Sequence, residues 1–94
     1  MIKFIEVTQQ GKGPFSLHEV WINEGFVVKV EDAPAYARLL EEGELPTELN
    51  KNHSFSAVTL NEGGLGTTHV VIGSVGSVAS KLDSSADLVR LLKG

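Results

Sequence analysis

The residues best suited to chemistry lie near the end of the chain. There the β-branched run His69-Val70-Val71-Ile72 meets Gly73-Ser74-Val75-Gly76-Ser77. If the run is a strand and a helix follows it, backbone N–H groups and two hydroxyls gather at a helix N-terminus, where the helix dipole favours negative charge. Gly73, Ser74, Gly76 and Ser77 would then hold a small anionic, nucleotide-like ligand. A dinucleotide fingerprint needs a parallel β-α-β unit, and a P-loop needs a Gly-Lys-Ser/Thr ending; the chain has neither. A structural role explains the same residues and is the expected one: Gly73 turns the chain, Ser74 caps the helix, and Gly76 allows close helix-to-sheet packing.

Other catalytic arrangements find less support. His18, His53 and His69 fall on separate stretches, and neither they nor Glu19 have the close spacing that marks a zinc site, so no metal is expected. No serine has a base and an oxyanion hole marked around it, and no two carboxylates are paired for acid–base work. Glu41 and Glu42, with Glu44 just beyond Gly43, read as a solvated helix end, yet acids at a helix C-terminus oppose the dipole and would attract a basic partner. Among the aromatic residues Trp21, Phe26, Tyr36 and Phe55, Trp21 is singled out because it lies beside a turn and its indole N–H needs an acceptor if buried. Trp21, Tyr36, Glu41 and Glu42 are therefore the candidate interaction residues.

Composition narrows the function classes. Ninety-four residues form one domain, residues 1–94, with a stretch at 32–52 that leaves the strand pattern. With no cysteine, disulfides and thiolate chemistry are excluded. The net charge of −4 and the scattered basic residues argue against direct nucleic-acid binding. No apolar run is long enough to span a bilayer, and Met1-Ile2-Lys3-Phe4 lacks a signal-peptide layout, so a cytoplasmic protein is expected.

The elements that must position these residues are mostly strands. Ile2 to Thr8 is apolar on both faces, with Ile2 and Phe4 on one and Ile5 and Val7 on the other. After the breaker Gln9 to Pro14, Phe15 to Ile22 puts Phe15, Leu17 and Trp21 on one face and His18, Val20 and Ile22 on the other. Asn23-Glu24-Gly25 reads as a short hairpin loop with Gly25 left-handed, leading into Phe26 to Glu31. Asp32 as cap and Pro34 in the first turn predict a short helix bearing Tyr36, Leu39 and Leu40, stopped by Gly43. Leu45 and Leu49 tie down the connection to a strand over Ser54 to Leu60, and Asn61 to Gly66 turns it back as Thr67 to Ile72. Val75, Val78, Ala79 and Leu82 recur at helical spacing. A second helix over Ser85 to Lys93 follows, or a single bent helix from Ser74 to Lys93.

The order β-β-β-α-β-β-α-α predicts an α+β fold: a mainly antiparallel five-stranded sheet or partly open small barrel, with an inserted short helix and C-terminal helices. The succession of a Met1-Ile2-Lys3-Phe4 start, a polar hairpin, a valine-rich middle strand, a glycine turn, a Val-Val strand and a terminal helix with Val78 and Leu82 resembles small FlbD-like proteins of bacteria and phages. The resemblance covers most of the chain outside Asp32 to Asn52, whose length departs from that pattern. It implies a small β-rich accessory or regulatory protein without catalytic activity, and it assigns no functional residue; no cofactor is expected. Two open sheet edges predict self-association. The expected function is a non-enzymatic interaction protein, homo-oligomeric and acting on a protein partner; the alternative is the anion binder at Gly73 to Ser77.

Overall fold

The computed structural model describes residues 1–49 and 52–83. Five strands form one antiparallel sheet: β1 (Ile2–Gln9), β2 (Phe15–Ile22), β3 (Val27–Asp32), β4 (Phe55–Glu62) and β5 (Leu65–Ile72), in the order β2-β1-β5-β4-β3. Helix α1 (Pro34–Glu41) lies between β3 and β4, and α2, residues 75–83, follows β5. The fold is a small α+β domain, as the residue patterns predict, and the sheet is not closed. The helix expected over Ser85 to Lys93, and with it the choice between one bent helix and two, lies outside the described residues.

Two hairpins follow from local chemistry. Gly63 and Gly64, at φ 61° and 87°, give the two positive dihedrals of a tight two-residue turn, so Glu62 pairs with Leu65 and the β4–β5 register runs unbroken to Phe55–Ile72. Gln10 to Pro14 joins β1 and β2, whose eight residue pairs run from Ile2–Ile22 to Gln9–Phe15.

The expected third hairpin does not form. Residues Glu24–Phe26 make a 3₁₀ turn, its first N–H groups capped by the Asn23 carboxamide oxygen accepting from Gly25 N–H at 2.9 Å, and Gly25 has no positive φ. β2 and β3 are not paired at all; they are the two edges of the sheet. This has a geometric consequence. A flat five-stranded sheet would hold its edges about 19 Å apart, at roughly 4.8 Å per strand. The five steps from Ile22 to Val27 reach at most about 18 Å even when extended. The sheet must therefore curl, and traced around the curl its strands run in simple chain order, opened at one seam between β2 and β3.

Curling separates two cores. On the concave side Phe4, Ile22, Val58, Leu60 and Val71 bury against Val78 and Leu82 of α2, with Ile2, Val20, Val27 and Val30 at the margin. The Lys81 ammonium lies 5.6 Å from the centroid of the Phe4 ring, a cation–π contact at the margin of this core. On the convex side Val7 and Phe55 pack with Leu40 of α1 and with Leu45, flanked by Phe15, Leu17, Tyr36, Leu39, Leu49, Val70 and Ile72. Helix α1 and residues 45–49 thus cover the second core. The helix begins differently from the expectation: Asp32 ends β3 and Ala33 is the cap residue, with no side-chain cap bond, so Pro34 alone marks the start. Gly43, at φ 75°, ends it as predicted.

One buried polar group joins sheet to helix. Ser56 is fully buried, and its hydroxyl donates to the Gly73 carbonyl at 2.7 Å. Ser56→Ala leaves that carbonyl without its donor, and we expect a cost of about 1–3 kcal/mol. A lowered urea midpoint with an unchanged slope would show it.

Candidate interaction surface

The turn that led the sequence reading is bound up in local structure. Gly73 N–H donates to the Ser54 carbonyl at 2.8 Å, and the Gly73 carbonyl accepts from Ser56. Ser74 Oγ accepts from Ser77 N–H at 3.1 Å, and its carbonyl accepts from Val78 N–H at 2.9 Å, which makes Ser74 the cap of α2. Gly73 holds φ 138°, and a Cβ there would meet Val78 Cγ2 at 3.1 Å, so this glycine is required by both conformation and close packing. Gly76 differs from the expectation: a Cβ on it would meet nothing within 4 Å, so it does not serve close packing.

The histidines do not converge. His18 Nε2 lies 3.0 Å from Ser16 Oγ on the same strand, at an exposed position. His69 Nδ1 lies 2.6 Å from Glu6 Oε2, a half-buried pair from β5 and β1 that no local pattern marks, because the two residues are 63 positions apart. His53 precedes β4. Among the described residues no group of three or more acids and histidines could hold a metal ion.

The four interaction candidates separate. Tyr36 belongs to the convex core, its ring 6.1 Å from those of both Phe15 and Phe55. Glu41 and Glu42 are exposed at the end of α1, where Arg38 in the last turn offsets their charge. Trp21 stands apart. It is 57% exposed on an edge strand, opposite Lys3 of β1. It does not stand alone, because Phe26 (43%), Val28 (60%) and Met1 (67%) are also exposed. The Met1 amino group lies 2.9 Å from Glu24 Oε2, which brings the first residue to the same corner as the 3₁₀ turn. Leu65 at the β4–β5 turn is exposed as well (75%), and large apolar groups left in water are candidates for a contact surface.

Beside this corner runs an unprotected edge. β2 is eight residues long and fully in register with β1, and contains neither Pro nor Lys. Among the described residues it makes no backbone–backbone hydrogen bond besides those to β1. The opposite edge is defended: β3 has six residues, a register shift between Val27 and Lys29, and the charges Lys29, Glu31 and Asp32. A cavity of about 480 Å³ opens at the first half of β2, lined by Phe15, Ser16, Leu17, Pro46 and Glu48. Phe15 and Leu17 were legible as strand residues. Their role as cavity walls was not, because Pro46 and Glu48 reach them only through the fold.

No family model, curated protein or solved structure matches this chain. Among the described residues, no helix is long and apolar enough to cross a membrane.

Proposed function

We propose that this protein is a non-enzymatic interaction module, a small regulatory protein of bacterial or phage type that modulates a partner protein from a homo-oligomeric β scaffold. The observation that carries this reading is the exposure of Trp21, 57% open to solvent on an edge strand that contains neither Pro nor Lys. Large aromatic groups contribute most to interfaces and little to the solubility of a monomer. The acidic excess of the chain favours a partner with a basic contact surface.

Trp21→Glu tests the reading. The side chain is already in water, so the fold is expected to keep its stability to within about 0.5 kcal/mol. Light scattering is expected to show the wild-type assembly reduced to monomer. An unchanged mass would remove Trp21 from the interface, and turnover of any substrate by the purified protein would overturn the non-enzymatic reading altogether.

A further inference from the structure

We infer that a second copy of this chain adds to the open edge of β2, antiparallel and centred on His18, and that each copy seats its Trp21 in the β2 cavity of the other. The inference rests on the homo-oligomeric reading above and specifies its surface and register.

The register follows from sheet geometry and charge. In a continuous antiparallel sheet, residues directly opposite one another share a face. A two-fold pairing of β2 with itself must therefore centre on a residue, and the middle of the strand offers Leu17, His18 and Glu19. Centring on Glu19 sets two carboxylates directly opposite, which is unfavourable. Centring on Leu17 pairs only Phe15 to Glu19 within the strand and leaves Trp21 opposite Gly13, before the partner strand begins. Centring on His18 pairs Phe15 through Trp21, with Ser16 opposite Val20, Leu17 opposite Glu19, and Phe15 opposite Trp21. No like-signed carboxylates then meet, and Glu19 keeps its neighbour Lys3, whose Nζ is 3.8 Å away.

The same register solves two problems together. Trp21 is the chain's single tryptophan and stands 57% exposed, while the cavity lined by Phe15, Ser16, Leu17, Pro46 and Glu48 opens at the other end of the same strand. Placing the partner's Trp21 opposite Phe15 carries its indole to that cavity, and the Glu48 carboxylate offers an acceptor for the indole N–H. The two-fold axis repeats the contact, so one exposed residue and one cavity per chain are each used once, which is the form of an isologous interface. β3 cannot serve in this way, because its bulge and charges oppose strand addition.

The experiment uses the whole chain. Because the chain has no cysteine, His18→Cys takes a single nitroxide label, and Lys29→Cys on β3 is the control. Residues directly opposite in an antiparallel pair lie about 4.5–5.5 Å apart at Cα. Label 18 is therefore expected to show strong dipolar broadening that disappears when excess unlabelled protein is mixed in, and label 29 to show none. Over the same concentration range, the fluorescence of Trp21 in the wild-type protein is expected to shift to the blue as the dimer forms. Dimers or larger assemblies without broadening at position 18 would overturn pairing through β2 and leave the homo-oligomeric reading standing. Broadening at 18 without a fluorescence shift would overturn the seating of Trp21 in the cavity. A monomer at every concentration would overturn both readings.

Discussion

Phe55→Ala is expected to lower the unfolding free energy by about 3–5 kcal/mol. Phe55 is 1% exposed and opens β4. It faces Ile72 across the β4–β5 pair and lies against the Tyr36 ring of α1. Removing the ring takes out the group that links sheet, helix and the Leu45 connection on the convex side, and few neighbours can collapse into the space, since they are held by strand register. A domain of this size has a stability of about 5–14 kcal/mol, at roughly 0.05–0.15 kcal/mol per residue, so the variant would be near the limit of folding. Phe55→Leu keeps most of the volume and is expected to cost less than about 2 kcal/mol. Urea denaturation of the two variants checks the pair. Equal costs would mean that the volume left by the ring does not set the loss.

Gly73→Ala and Gly76→Ala are expected to act in opposite directions. Gly73 combines φ 138° with a Cβ position 3.1 Å from Val78 Cγ2, and its N–H and carbonyl are both held, by Ser54 and Ser56. An alanine must either keep the strained dihedral, at about 1–3 kcal/mol, or shift α2 away from the concave core. Gly76 lies in the first turn of α2, facing open space, so alanine there is expected to stabilise by about 0.5–1 kcal/mol through helix propensity. Thermal denaturation reads both signs directly. The same proteins address anion binding at this turn. The local bonds of Ser74 and Gly73 predict that nucleotides leave the melting temperature of the wild type unchanged, and a nucleotide-dependent rise lost in both variants would reverse that conclusion.

Where the residues of an element interact mainly with near neighbours in the chain, the sequence was sufficient. The two faces of β1 and β2, the glycine turn between β4 and β5, the proline start and glycine stop of α1, and the Ser74 cap all follow from period, propensity and backbone freedom. Asp32 and Gly25 show where local rules fail. Asp32 has the chemistry of a cap, but pairing with Ser56 of β4 extends β3 through it and leaves Ala33 at the helix start. Gly25 stands in a sequence typical of a hairpin, but the Asn23 carboxamide folds it into a 3₁₀ turn.

The candidate site divides along the same line. Trp21 could be singled out from the sequence because its type and position are local properties. Its exposure, the open edge on which it stands and the cavity at the start of that strand depend on which strand lies next to which. A strand carries no local record of whether it is central or peripheral, since both states need the same alternation of side chains. Only the pairing of β1 with β5 moves β2 to the edge, and only the packing of residues 45–49 over the convex core brings Pro46 and Glu48 to Phe15 and Leu17. The sequence by itself therefore determined most of the elements and the two faces of each strand, while the tertiary structure decided which face and which edge stay exposed.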